Sequence, residues 1–341
     1  MKAAIVNPYW DTLGGGERYA ISVAQVLAKN GYAVDVEWKD SNLKNELQGR
    51  FGVDLEGINI VDSVKRGDGY DVCFWVSDGS IPTLQARKNF LHFQVPFKNV
   101  GGRTLLSRMK LFRISKVICN SNFTKKIIDK EFGINSVVLY PPVSVSQFRP
   151  KKKENVILSV GRFSGLLQAK RQDILVSCFK RFFDTQGKGW KLVLAGGAEI
   201  GAKEYIENLK ERSRNYPIKI IQSPSFNEIK KLYSTAMFFW SASGYGVDEL
   251  KEPEKVEHFG ITTVEAMASG AVALVYEAGG HKEVIVNGEN GYLWKSEEGL
   301  ISKTIKLMED PKLTRKMVIS GKKDALKYSY ERFEKELLSL I

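Results

Sequence analysis

No stretch of about 18 consecutive apolar residues occurs in the sequence, so nothing in it reads as a membrane span. After Lys2 only Ala3 to Val6 precede Asn7 and Pro8, too short an apolar run for a signal peptide. The chain is therefore expected to be soluble or peripheral, and cytoplasmic. Cysteine is scarce: Cys73, Cys119 and Cys178 are odd in number, far apart and set inside strand-like or helix-like runs. That pattern excludes a disulfide framework and a zinc site and fits a reducing compartment. No Asp-x-Asp pair is present to hold a divalent cation, so no metal site is expected. Acidic residues are outnumbered, 39 against 51 lysines and arginines, and the net charge of +12 favours polyanions or anionic membrane surfaces. Charge alone does not choose between them, and no nucleic acid is expected as a partner.

What is present is an ordinary globular composition, 43% apolar over 341 residues, enough for two domains. Short apolar runs alternate with helical patterns: Ala3 to Asn7, Ala33 to Trp38, Ile58 to Val61, Val72 to Val76, Phe90 to Val95, Val117 to Asn120 and Val137 to Tyr140. Such alternation predicts βαβ units and a parallel sheet. The stretch YPPVSVSQFRPKKKEN then reads as an interdomain linker. A second set of strands follows at Val156 to Val160, Lys191 to Ala195, Lys219 to Gln222, Met237 to Trp240 and Ala271 to Tyr276. The expectation is an α/β protein of two Rossmann-like, doubly wound domains facing a central cleft, residues 1–150 and 151–325. Residues 326–341 would form a helix crossing back to the first domain.

Several motifs bear on chemistry. Gly14 to Gly16 open a helix whose first-turn amides could meet a diphosphate. As a dinucleotide fingerprint the turn is poor: Tyr19 stands where a third glycine is needed, although Asp35 lies at a suitable distance for a ribose contact. Arg162, just after a strand, and Lys170, just before a helix, could neutralise a departing diphosphate or be solvated surface cations. Thr262-x-x-Glu265 has the form of a capping box, Gly270 sits where a left-handed residue ends that helix, and Gly279-Gly280 precedes another helix start. His92 lies inside an apolar run, where core packing is the commoner role; His258 reads equally as a loop-packing residue, and His281 as exposed. Residues 98–116 carry six basic residues and no acidic one, with Leu105, Met109 and Phe112 on one helical face. They suit either an anionic bilayer or a core-packed helix with a basic outer side.

Glu257-x7-Glu265 within EHFGITTVEAMASGAVAL, together with Gly161-Arg162, Lys170 and the GGGER turn, resembles the retaining GT-B enzymes of glycosyltransferase family 4. ICNSNFTKKII and LYPPV recur there in the same order, and the long loop before Glu257 looks most like the mannosyltransferase branch. The resemblance implies a GT-B fold and hexose transfer from a nucleotide sugar, GDP-mannose or a UDP-sugar, to a glycan or lipid-linked acceptor without a metal. It further implies that Arg162 and Lys170 hold the diphosphate, with Gly15 and Gly16 giving it amides. Glu265 would bind the ribose and Glu257 the donor sugar. Phe259, Gly260, Ile261 and Thr262 would line the donor site, Gly279 and Gly280 would lie against sugar and phosphates, and His92 would sit by sugar and acceptor. No general base is assigned. The Arg162-to-Lys170 spacing is longer than usual in the family, and Arg171 replaces the glycine that commonly follows the lysine. A UDP-sugar 2-epimerase and a silent sugar-nucleotide binding subunit are rival readings on the same architecture.

Overall fold

The computed structural model describes residues 1–164, 170–199 and 201–341. They form two compact units, Met1–Pro142 with Tyr330–Ile341, and Val143–Ser329. In the first unit the strands are β1 (Lys2–Val6), β2 (Ala33–Glu37), β3 (Ile58–Val61), β4 (Val72–Val76), β5 (Lys88–Phe93), β6 (Lys116–Cys119) and β7 (Val137–Val138). Its helices are α1 (Gly15–Lys29), α2 (Leu43–Phe51), α3 (Leu105–Leu111) and α4 (Asn122–Phe132). All strand pairs are parallel, in the order β3-β2-β1-β4-β5-β6-β7. β1 is central, its Ile5 in register with Val36 and Phe74, which is why its sequence is an unbroken apolar run. α1 covers one face with Tyr19, Ala20, Val23, Ala24 and Leu27, a stripe at helical spacing.

The second unit repeats the plan. Its strands are β8 (Glu154–Val160), β9 (Lys191–Gly196), β10 (Ile218–Gln222), β11 (Ala236–Ser241), β12 (Val272–Tyr276) and β13 (Gly291–Trp294), ordered β10-β9-β8-β11-β12-β13. The helices are α5 (Gln172–Thr185), α6 (Lys203–Arg212), α7 (Phe226–Thr235), α8 (Ile261–Ala268), α9 (His281–Val284), α10 (Glu297–Glu309) and α11 (Pro311–Ala325). Trp190 stacks on Phe238 at 5.0 Å inside a core that also buries Phe182, Trp240 and Trp294. In both units the chain winds outward to one side, then jumps back across its first strand. The switch points lie between β1 and β4 and between β8 and β11, where open α/β sheets bind ligands beyond the strand carboxyl ends.

The strands match the sequence reading within a few residues, except that β7 is shorter and β13 was not expected. The boundary between units also differs, falling at Pro142 rather than 150. The Val143 amide donates to Tyr328 O at 2.8 Å, and Phe148, expected in a linker, is buried edge-on against Tyr233 at 5.5 Å. Residues 143–150 are thus packed chain of the second unit. The last helix, α12 (Tyr330–Leu340), joins the first: Phe333 and Leu337 enter its core and Phe333 meets Tyr19 edge-on at 5.4 Å. Phe333→Ala should therefore cost about 3–5 kcal/mol of stability, whereas Phe112→Ala, at a residue 93% exposed, should change it by less than about 0.5 kcal/mol. Urea unfolding of both variants checks this, and equal midpoints would show that α12 does not complete the core.

Candidate active site

In the second unit the carboxyl end of β8 is held close to β9. Gly161 N donates to Ala195 O at 2.9 Å and Phe163 N to Gly197 O at 2.8 Å. A Cβ on Gly196 would lie 1.9 Å from Gly161 O, so only glycine permits the approach. Gln172, at the start of α5, donates to Arg162 O at 3.0 Å and fixes the turn from the other side. A Cβ on Gly161 would come 2.7 Å from Lys170 Cγ, so the Lys170 stem lies directly over the end of β8.

Lys170 Nζ reaches Glu257 Oε2 at 2.7 Å and Ser243 Oγ, just beyond β11, at 3.5 Å. Burial works against the Glu257 charge, but Lys170, then His281, together with the hydrogen bond from Lys170, outweighs it and holds the carboxyl down at about 2. Glu257 is therefore a carboxylate at neutral pH, able to accept hydrogen bonds from hydroxyls and unable to give a proton. Arg162 pairs with Glu199 at 2.9 Å. Arg171 takes a left-handed conformation, φ 48°, which explains why glycine suits that position. Its guanidinium is engaged by both Asp173 oxygens at 3.1 Å and by Tyr245 O at 2.9 Å, so Lys170 and not Arg171 is the cation beside Glu257. Residues 165–169, which carry the unusual spacing, lie outside the described residues.

Glu257 and α8 meet through Gly260. This residue, at φ 104°, is the N-cap of α8, and a Cβ on it would lie 3.2 Å from His281 Cδ2 and 3.6 Å from Glu257 Cγ. The expected capping box at Thr262 does not form. The left-handed Gly260 starts the helix at Ile261, which puts Thr262 inside the first turn and Glu265 in the second, buried at 5% exposure. First-turn amides have no intrahelical acceptor, so those of Ile261 and Thr262 form an electropositive end beside Glu257. Phe259 turns its ring inward against Tyr328 at 5.1 Å. The helix ends as expected: Gly270, φ 73°, lets Ala271 N reach Ala266 O at 2.9 Å and Gly270 N reach Met267 O at 3.0 Å.

Gly279 and Gly280 are close-packing points. An added Cβ at either would strike backbone, Glu257 O at 2.1 Å or His258 O at 2.4 Å, so they are glycines because two main chains touch there. Gly280 N donates to Glu257 O at 2.7 Å and Gly279 N to Glu249 Oε2 at 2.8 Å, so neither amide is free for a phosphate. His281, expected to be exposed, is 1% exposed. Its Nδ1–H donates to Tyr276 O at 3.0 Å, which turns the rest of the ring toward Glu257, and burial lowers its pKa despite that carboxylate. The clue in the sequence was its place directly after the glycine pair. His258 is buried with Nε2 3.2 Å from Glu254 O, a loop-packing residue.

The first unit carries a second set of residues. Glu17, buried near the start of α1, accepts from Gly14 N at 2.6 Å, Thr12 Oγ1 at 2.7 Å and Asn7 Nδ2 at 3.4 Å. It braces the β1-to-α1 turn that presents Gly15 and Gly16, a function the sequence reading missed. Tyr19 fills the space a third glycine would leave, and Asp35 is taken up by Tyr70 at 2.8 Å and Asn59 at 3.0 Å, so the dinucleotide reading fails here. His92 is not at a surface: it is 0% exposed, stacked on Tyr19 at 4.1 Å, and burial pushes its pKa down to about 3. The residue at the turn is Gln94, just past β5. A Cβ on Gly16 would lie 2.1 Å from Gln94 Oε1, and that oxygen is buried without a hydrogen-bond partner. Two residues along the chain separate His92 from the side chain that lies against Gly16.

The depressed Glu257 pKa makes the pair a pH-dependent source of stability. Its contribution is complete above the ordinary glutamate value of about 4.5 and is lost as pH falls toward about 2, on the order of 3 kcal/mol in all. Urea unfolding at pH 7 and pH 3 should show a wild-type loss that Glu257→Gln lacks. Parallel profiles for the two proteins would mean that Lys170 does not hold the charge.

Comparison with known proteins gives the fold and the family. The chain is 27% identical over 336 residues to the alpha-1,3/1,6-mannosyltransferase ALG2 of Dictyostelium discoideum, covering 81% of this chain and 76% of that protein. It spans 53% of the Candida glabrata ALG2, at 25% identity. A mouse GDP-Man:Man(3)GlcNAc(2)-PP-Dol alpha-1,2-mannosyltransferase is 32% identical over 166 residues, 46% of this chain and 29% of that one. Among solved structures, Anabaena HepE in complex with UDP superposes with TM-score 0.80 at 16% identity, covering 99% of both chains. Sucrose-phosphate synthase from Thermosynechococcus elongatus does so at 0.75 and 14%, covering 100% of this chain and 98% of that one. These likenesses give the fold, two Rossmann-like α/β domains as in GT-B glycosyltransferases. Residues 144–324 match the family described as Glycosyl transferases group 1, and the chain belongs to that family of glycosyltransferases.

Proposed function

We propose that the protein is a retaining, metal-independent hexosyltransferase of glycosyltransferase family 4 that transfers mannose from GDP-mannose to a glycan or lipid-linked acceptor. The observation that carries this reading is the Lys170–Glu257 pair beside His281 and the start of α8, at the switch point between β8 and β11. A carboxylate kept ionised in a half-buried place is suited to gripping sugar hydroxyls, and the ammonium next to it to a diphosphate. In this reading Lys170 and Arg162 hold the diphosphate, Glu257 the sugar and Glu265 the ribose, with the Ile261 and Thr262 amides beside them. Within the first unit, Gln94 and not His92 lies against the Gly15-Gly16 turn. The similarity to ALG2 and to a mannosyltransferase named for GDP-Man supports the donor. The protein would work in the cytoplasm, peripheral on the inner face of the membrane.

The reaction needs no proton from the enzyme. The anomeric C–O bond to the diphosphate breaks while the acceptor oxygen bonds the same face of that carbon, and the acceptor proton passes to the departing phosphate oxygen. What the protein supplies is charge held in place where charge develops, so Lys170→Ala should cost on the order of 3 kcal/mol, roughly a hundredfold in kcat/KM. Glu265→Gln should raise the donor KM.

A thermal-shift screen of nucleoside diphosphates and their sugars tests the donor, since tight binding to the folded state raises Tm by mass action. GDP and GDP-mannose should give the largest shifts. A larger shift with UDP-sugars would replace the donor, turnover of donor alone to an epimer would replace the reaction, and binding without transfer would leave a silent subunit. Transfer that stops with EDTA and returns with magnesium or manganese would overturn the metal-independent reading.

A further inference from the structure

Residues 98–116 leave an apolar face uncovered. Ten large apolar residues are exposed among the described ones, and five of them, Val100, Leu105, Leu106, Met109 and Phe112, fall within 13 consecutive positions. α3 buries none of its residues: Leu105 is 76% exposed, Met109 64% and Phe112, its C-cap, 93%. At 100° per residue Leu105, Met109 and Phe112 point the same way, with Leu106 next to them, Arg108 on one flank and Arg113 and Lys110 on the other. The core-packed alternative is excluded, because the side turned inward is that of Leu111 and Ile114, which pack against the core of Phe93, Cys119, Ile128 and Phe132.

The helix is nevertheless firmly held. Glu131, on α4, accepts from the amides of Val100 at 2.9 Å, Asn99 at 3.1 Å and Gly102 at 3.4 Å. Arg103 donates to Lys130 O at 2.7 Å, and Thr104 caps α3 by accepting from Ser107 N at 3.2 Å. A fixed element showing large apolar groups to solvent, rimmed by cations, marks an interaction surface.

We infer that α3 is a membrane-docking helix, with Leu105, Leu106, Met109 and Phe112 entering the headgroup boundary of an anionic bilayer and the flanking cations meeting acidic lipid. Charge decides for lipid against a second copy of the chain. The segment holds six cations and no acid, and a two-fold contact would set those cations against themselves. An anionic bilayer satisfies both halves of the surface at once. The inference deepens the lipid-linked acceptor reading and rests on it for the purpose of docking, while the docking itself is independent of the donor.

Co-sedimentation of the full chain with phosphatidylcholine vesicles, with and without phosphatidylglycerol, at low and high salt tests it. The wild type should pellet with the anionic vesicles. Leu105→Ser/Met109→Ser/Phe112→Ser should bind at least about tenfold more weakly at both salt levels. Arg108→Gln/Lys110→Gln should lose roughly twentyfold at low salt and little at high salt, where screening has already removed its advantage. Because these side chains are largely outside the core, an unchanged Tm certifies folding, and the Tm shift with GDP-mannose in the same samples reads donor binding separately. Absence of wild-type pelleting, or equal pelleting of all three proteins, overturns the proposal. A wild-type dimer in solution that the apolar triple variant lacks would assign the face to a second copy instead. Vesicle binding without any nucleotide shift would leave docking standing and remove the donor reading alone.

Discussion

Glu257 holds a negative charge where burial alone would remove it, and the second unit's site is organised around keeping it there. Lys170 supplies most of the compensation at 2.7 Å, with His281 adding to it. These groups come from different strand ends: Lys170 over β8 and His281 past β12 act on the carboxylate, and Ser243, past β11, accepts from Lys170 at 3.5 Å. Three chain segments that diverge elsewhere are brought together by one charge. A half-satisfied polar cluster of this kind would be worse than an apolar one, so its members stand or fall as a group.

Backbone contact makes that convergence sterically feasible. Gly161 against Lys170, Gly196 against Gly161 O, and Gly279 and Gly280 against the 257–258 carbonyls each remove a Cβ that would hold two segments apart. The same economy appears in the first unit, where Gly16 lies under Gln94. Glycines that look in the sequence like phosphate-binding turns can thus act first as close-packing points. At Gly279-Gly280 that is the whole of their observed role, since both amides already have acceptors in Glu249 and Glu257.

The sequence carried the fold well because its signals are local and redundant. Period and length mark β1, β4, β8 and β12 as buried strands, and the order of elements allows little besides parallel sheets. Gly270 was legible for the same reason, since a helix end demands a left-handed residue. The site was legible in composition but not in direction. Thr262-x-x-Glu265 matched a capping box, yet Gly260 began the helix earlier, and its φ of 104° leaves no trace in the letters. His92 and Gln94 differ by two positions along one line, and only the end of β5 after Phe93 decides which one leaves the sheet. His281 looked exposed because nothing local reveals that Tyr276 O will turn its ring inward.

Residues 98–116 show the reverse situation, in which the sequence left open a choice that packing closes. Six cations and several apolar residues suit two helices equally, and hydrophobic pattern alone cannot tell which face points inward. Leu111 and Ile114 take the inward positions against Phe132 and its neighbours, Glu131 fixes the preceding loop, and Phe112 is left pointing outward. Burying the larger ring would have required giving up the contacts of Leu111, which lies about 100° away around the helix. The apolar outer face therefore follows from how the helix is tied down, so a property that composition only suggested becomes a consequence of three backbone hydrogen bonds to one carboxylate.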